Sequence, residues 1–309
     1  DGKHCPYIII GGRKVCYDSV FEKWKDYVER KKLDGRITIG VRDEVLDKLA
    51  VFESKFDDII LAKRDELEEW SKEMYSKVVG SMLANIFVAI YTDYTKDVAR
   101  EVLKRLKIRT CPYCNRNYTF VVKSSCSSGG KRFTTRPEFD HFYNKSQHPL
   151  LALSFYNLVP SCPICNHGKA TDDIGVNPYF DGFNSKFAIC DNRKHTPLNI
   201  NKIKLAKSDI DFSLEFVNPS RAEQENIKGL GLDVLYNEHR DYVMNLIEKS
   251  TCYGSMAQNQ AIVDSFQGVF RSSQEVYDFV WGRYLDEDSF EYRPLSKLTR
   301  DILEQLGIV

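Results

Sequence analysis

Cys111-Pro112-Tyr113-Cys114 and Cys162-Pro163-Ile164-Cys165 repeat one four-residue pattern, with 47 residues between the two copies. Two thiolates three positions apart on a tight turn can face one tetrahedral ion, at metal–sulfur distances near ~2.3 Å. Two such turns complete a closed structural site, so one zinc ion held by Cys111, Cys114, Cys162 and Cys165 is the expectation. A redox pair is the alternative, but redox motifs seldom come in matched copies. The gap exceeds that of a zinc ribbon, so the turns must hold something between them. Cys5, Cys16, Cys126, Cys190 and Cys252 are scattered and read as small buried apolar residues.

The bracketed stretch also differs in charge from its flanks. The chain of 309 residues carries 44 Lys and Arg against 44 Asp and Glu. Residues 111–170 hold seven Lys and Arg against two Asp and Glu, leaving 37 against 42 elsewhere. Zero net charge argues against indiscriminate nucleic-acid binding, whereas a basic centre fits a local phosphate-binding surface. A merely solvated face is the plainer alternative. Apolar and charged fractions of 42% and 28% are those of a globular chain, long enough for one large domain or two to three smaller ones. The most apolar run, residues 82–91, is interrupted by Asn85 and is too short to cross a bilayer. The opening Asp1-Gly2-Lys3-His4 has no basic segment leading into an apolar block. Thiols rather than disulfides, a cytoplasmic location and no membrane contact are therefore expected.

The flanks carry helical periodicity. Residues 20–31, 41–77 and 81–106 predict packed helices. The period changes at Thr110: residues 118–122 are β-branched and aromatic, 124–130 form a turn and 131–135 a returning strand. Residues 171–184 are irregular, 185–190 and 210–216 predict short strands, and the chain is helical again from Ala222, over 234–249, 258–270, 275–284 and 295–306. The expectation is an α+β, mostly helical protein: a helical region 1–109, a zinc-clamped core 110–183, and a C-terminal α/β to helical region 184–309.

Between the cysteine turns stand Glu138-Phe139-Asp140-His141 and Asn157-Leu158, and Asn166 directly follows the second turn. An Asp-His pair followed by Asn-Leu and Cys-x-x-Cys-Asn resembles the HNH branch of the ββα-metal endonucleases. The longer strings CPYCNRNYTF (111–120), DHFYNKSQHPLLALSFYNLVPSCPICN (140–166) and RPLSKLTRDILEQL (293–306) resemble the HNH subunit of Septu-type antiphage defence systems, including the retron-associated ones. The resemblance is specific over the motif-bearing stretch and loose elsewhere.

The resemblance implies a ββα-metal (HNH) core, clamped by the structural zinc and gripping one catalytic Mg²⁺ or Mn²⁺. It implies His141 as general base, Asp140 and Asn166 as ligands of the catalytic ion, and Asn157 as the residue holding the His-bearing loop. Phosphodiester hydrolysis needs an activated water, a Lewis acid and neutralisation of developing charge. Imidazole titrates near neutral pH, and carboxylate and amide oxygens suit a hard cation. Lys145, Arg136 and Lys169 are the expected phosphate contacts. His167 is a weaker candidate, as is His148; His195, His239 and His4 read as surface or capping residues. Two positions depart from the family pattern: Asn144 stands where Pro is usual, and the third motif residue is Asn166 rather than His.

The implied function is that of a metal-dependent endonuclease acting on DNA or RNA, the effector of an antiphage complex. Its ABC/SMC-like ATPase partner would be a separate chain, since no Gly-x-x-x-x-Gly-Lys-Ser/Thr sequence occurs here. The alternative is a non-catalytic zinc-dependent subunit that binds nucleic acid or assembles the ATPase. Such a subunit would keep the cysteines and basic residues but would not need Asp140, His141 and Asn166 in register.

Overall fold

The computed structural model describes residues 7–10, 13–16, 26, 29–30, 55–78, 84–85, 87–88, 91–92, 99–123, 134–199, 201, 203, 211–253, 255–266, 268–282 and 285–308. Among them the chain is a mixed α+β protein in which helices accompany four two-stranded antiparallel sheets. It divides into two compact units, each discontinuous in sequence. The first comprises residues 1–108, 120–166 and 171–173; the second comprises 109–119, 167–170 and 174–309. Of the helix expected over 20–31 only residues 26, 29 and 30 are described, all of them helical; 41–54 of that expected over 41–77 and most of 81–98 lie outside the described residues. No described helix is long and apolar enough to cross a membrane.

In the first unit, β1 (Tyr7–Ile10) pairs with β2 (Arg13–Cys16) in the register Ile10↔Arg13. The sequence signal for this hairpin is Gly11-Gly12 between two short runs, a dipeptide suited to tight turns. Next come α1 (Phe56–Leu61) and α2 (Arg64–Val78). The apolar period runs through both, yet the helix breaks at Ala62, where φ is −49° and ψ is 125°. The Glu66 carboxylate accepts from the Lys63 N–H at 2.9 Å, capping the new helix, and Asp65 and Glu66 complement its positive end.

These two helices support the loop that matters. Ile59, Ile60, Ala62 and Leu67 are buried, and α1 and α2 pack on the 3₁₀ turns Pro149–Leu153 and Phe155–Asn157. Leu150, Leu151 and Leu153 are at most 3% exposed, and each such burial contributes about 1.5–3 kcal/mol. Polar bonds then set the register: Ser154 Oγ donates to the Ile59 carbonyl at 2.7 Å, and His148 Nδ1 to that of Ser71 at 3.3 Å. The loop they hold joins β5 (Glu138–His141) to β6 (Leu158–Ser161), which pair antiparallel with Glu138 opposite Ser161 and His141 opposite Leu158. All four β6 residues are buried, so no polar–apolar alternation marks the strand in the sequence. Helix α3 (Ala99–Leu106) and the pair β3 (Val122–Lys123) and β4 (Thr134–Thr135) complete the unit. The strand expected over 118–122 is shorter and later than that. Asn117 and Thr119 instead close the first cysteine turn, through Cys111 N–H to the Asn117 carbonyl and Thr119 N–H to that of Arg109. Helix α4 (Pro163–Lys169) follows β6 directly, started by a proline in its first turn.

The second unit is built on β7 (Lys186–Asp191) and β8 (Phe212–Val217), near the expected strands. Around them lie α5 (Arg221–Gly229), α6 (Leu232–Asn237), α7 (Arg240–Tyr253), α8 (Met256–Ser265), α9 (Ser273–Trp281) and α10 (Ser296–Gln305). The helix expected over 234–249 is two helices, because the Asn237 amide is bonded to both the N–H and the carbonyl of Leu214 at the β8 edge. Helix α10 covers β7: Asp301 accepts from Phe187 N–H at 3.0 Å and Gln305 from Ile189 N–H at 2.7 Å. These bonds satisfy donors that a bare edge strand would expose. The irregular stretch 174–176 is pinned by Asn226, whose Oδ1 accepts from Gly175 and Val176 N–H. A side chain at Gly175 would meet the Ala222 Cα at 2.6 Å, so only glycine permits this approach.

Candidate functional site

The first cysteine turn closes when the Asn115 N–H donates to the Cys111 carbonyl at 2.7 Å. The Arg116 N–H then reaches Cys114 Sγ at 3.4 Å. Asn115 takes a left-handed conformation with φ of 45°, which asparagine tolerates. Its carbonyl accepts from the Leu295 N–H, its Nδ2 donates to the Phe290 carbonyl, and the Tyr236 hydroxyl donates to the Cys114 carbonyl. The C-terminal segment 290–297 therefore braces this turn. The second turn is the start of α4, where the Asn166 N–H donates to the Cys162 carbonyl at 3.0 Å. The four sulfur atoms lie within 4.8 Å of one another and all four residues are buried. A tetrahedral ion with ~2.3 Å bonds separates its sulfurs by about 3.8 Å, so this donor set fits a thiophilic metal such as zinc. Cys190 is different in kind: buried in β7 away from this group, its thiol is pushed up to about 11 by burial and then by Glu215, and it packs as a neutral side chain. Cys252 is exposed, contrary to expectation. Cys5 and Cys126 fall outside the described residues, and of Cys16 only the strand backbone is described.

β5, its loop, β6 and α4 bring the motif residues together. His141, 6% exposed, places Nε2 at 3.1 Å from the Ala152 carbonyl. A carbonyl only accepts, so Nε2 carries the proton and Nδ1 holds the lone pair of the neutral ring. The Tyr91 ring meets the imidazole edge-on at 4.3 Å between centroids. Asn157 is fully buried; its Oδ1 accepts from the Tyr143 N–H at 2.7 Å, and its Nδ2 donates to the carbonyls of Tyr143 and Leu151. Its own carbonyl takes the Phe142 N–H at 2.9 Å. One side chain thus ties the exit of His141 to the turn that presents Ala152. Asn157→Ala leaves an N–H and two carbonyls unmatched and is expected to lower stability by about 2–4 kcal/mol, read from the denaturation midpoint.

The strand pleat puts Glu138 and Asp140 on one side and Phe139 and His141 on the other. Cross-strand register adds Val159 and Ser161 to the Glu138–Asp140 side. There Asn166 Nδ2 donates to Glu138 Oε2 at 2.7 Å. Asp140 is 3% exposed, and the fully buried Ser161 Oγ has no hydrogen-bond partner. The donors on this face are oxygen atoms with no thiol among them, the ligand type that hard cations prefer.

The remaining candidates divide. Lys145 Nζ sits 5.0 Å from the centroid of Tyr91, whose hydroxyl donates to the Phe139 carbonyl. Burial pushes the Tyr91 phenol up to about 12; Arg136 opposes this, and Asp140 and Glu138 add to it. Tyr91 therefore links Lys145 and His141, and nothing in its apolar sequence context announces this. Lys169, named among the expected phosphate contacts, is 1% exposed, its stem and ammonium enclosed. His148 is turned into the unit toward Ser71, and burial lowers its pKa. His167 is exposed on the last turn of α4. His195 is exposed with Nδ1 at 2.8 Å from Glu215; His239 accepts from Arg116 Nε at 2.9 Å, and burial and then Arg116 lower its pKa. His4 lies outside the described residues. Asn144, where the related pattern has proline, turns the chain by accepting from the Ser146 N–H and hydroxyl.

No protein family model matches the chain, and neither a characterised protein nor a solved structure matches it.

Proposed function

We propose that the chain is a metal-dependent endonuclease of the HNH type, hydrolysing nucleic-acid phosphodiesters. The observation that carries this reading is His141 held at the end of β5 by the Ala152 carbonyl, on a loop pinned by Asn157, next to Asp140. A histidine so fixed presents one nitrogen, Nδ1, as a base. Asp140 and the Asn166 amide oxygen would hold Mg²⁺ or Mn²⁺, which when bound supplies Lewis acidity to the phosphate and the leaving oxygen. His141 takes a proton from water at Nδ1, and Lys145 and Arg136 draw the phosphate in.

We also propose that it serves as the effector of an antiphage complex with an ATPase partner, which rests on the family resemblance. Partner docking has a physical counterpart in a groove of about 690 Å³ lined by Ile262, Phe266, Val269, Phe270, Val276 and Phe279 among others. Phe266, Val269 and Phe279 are 56%, 66% and 73% exposed. Lys249 also lines it. An apolar groove of this kind fits the apolar face of an amphipathic helix of the partner.

The test uses the chain alone and co-expressed with an ABC/SMC-like ATPase, supplied with plasmid DNA and with total RNA. Magnesium-dependent cleavage of one of these is expected, silenced by chelation and restored by Mg²⁺ with zinc still in place. Binding without cleavage would identify the non-catalytic subunit instead. Phe279→Glu alters an exposed position and should weaken partner binding about 30-fold or more while cleavage chemistry stays intact.

A further inference from the structure

Glu138 has no role in the reaction described above, yet its carboxylate receives the Asn166 amide. A carboxylate accepts and cannot donate, so the 2.7 Å contact fixes which end of that amide is nitrogen. The two ends of an asparagine are nearly the same size, and an amide without a partner of defined polarity can flip. A flipped Asn166 would point an NH₂ group, not an oxygen, at a cation.

We propose that Glu138 is a positioning residue: it orients Asn166 so that Oδ1, not Nδ2, faces the metal beside Asp140. The inference rests on the nuclease reading. Three features support it. Glu138 and Asp140 share one side of β5 by the pleat. Glu138 is the residue of that side paired with Ser161, whose buried hydroxyl has no partner, so this end of the strand pair is polar and closed. Asn166 is itself fixed at its backbone, its N–H bonded to the Cys162 carbonyl, leaving side-chain orientation as the freedom still to be set. An anionic acceptor on the NH₂ also draws electron density toward Oδ1, strengthening it as a ligand.

The test is Mn²⁺ binding, followed by electron paramagnetic resonance of the free ion on the zinc-loaded full chain. Outer partners of metal ligands typically contribute ~10–100-fold in affinity, and Glu138→Ala should weaken Mn²⁺ binding by that order. Glu138→Gln keeps an acceptor oxygen but adds an NH₂ that can meet the flipped amide, so its affinity should fall between those of the wild type and Glu138→Ala. With Asn166→Ala already present, Glu138→Ala should change little, because there is no amide left to orient. Zinc content and circular dichroism of each variant establish that it is folded. Additive losses in the double variant would overturn the proposal and make Glu138 a direct ligand or a long-range charge. A Glu138→Ala variant that binds Mn²⁺ as tightly as the wild type would overturn it too, by showing that the amide needs no partner to orient it. Wild-type protein that binds no Mn²⁺ would remove the catalytic-ion reading itself, and the positioning role with it.

Discussion

His141→Ala is expected to lower cleavage by ~10²–10⁴-fold while zinc content, fold and partner binding persist, the range that a positioned general base supplies. The size of the loss follows from geometry. The Nε2–H bond to Ala152 fixes the ring and assigns the lone pair to Nδ1, so no rotation of the ring brings another base into place. Alanine leaves the Ala152 carbonyl without its donor, which costs some stability, but α1 and α2 hold that turn through Ser154 and the leucines independently of the histidine. Asp140→Ala and Asn166→Ala should also be severely impaired, since each removes a proposed oxygen ligand of the catalytic ion. Excess Mg²⁺ or Mn²⁺ should restore these two in part by mass action and should not restore His141→Ala. His148→Ala and His195→Ala serve as controls, because one ring faces Ser71 and the other Glu215. Near wild-type cleavage by His141→Ala, with loss in His148→Ala, would show that the wrong histidine was assigned.

The candidate site is legible in the sequence where chemistry demands residue types at fixed spacing. Two Cys-x-x-Cys turns need to converge on an ion whatever lies between them, and they do converge. Asp140, His141, Asn157 and Asn166 are recognisable by order and by resemblance, and the backbone bonds of Asn157 are of the kind a buried amide must make. Long-range partners are not legible. Tyr91 reaches His141 from fifty positions away, and no local pattern encodes an edge-on ring. Glu138 reads as one more strand-edge acid until α4 brings Asn166 to it. Lys169 reads as one more basic residue, whereas it ends α4, the helix that carries Cys165, and is enclosed there. The fold follows the same division. Amphipathic helices and the β7–β8 pair fall near their expected positions, whereas β5 and β6 escape periodicity because they lack an exposed face to alternate with.

Depriving the four-cysteine group of its expected metal should do more damage than any single substitution at the proposed catalytic residues. Cys111, Cys114, Cys162 and Cys165 come from two short turns separated by 47 residues, so an ion bound to all four closes a long loop of chain. The first turn is braced besides by bonds from Asn115 to Phe290 and Leu295 and from Tyr236 to Cys114. A structural zinc in small domains supplies apparent binding energy of ~10–16 kcal/mol, comparable with the whole stability of a typical domain at ~5–15 kcal/mol. Cys162→Ser is therefore expected to bring zinc below about half an equivalent per chain and to yield protein that is largely unfolded or insoluble. Cys190→Ala removes an equally buried thiol outside the group and should retain full zinc, with a loss of about 1 kcal/mol for the small cavity. Metal analysis beside thermal unfolding separates the two cases. Zinc near one equivalent in Cys162→Ser, or well-folded wild-type protein without zinc, would show that the cluster is not a structural metal centre. Stoichiometric zinc that is lost only together with the fold would make metal binding the step that assembles α4 and its Asn166, and with them the face on which the catalytic ion is proposed to sit.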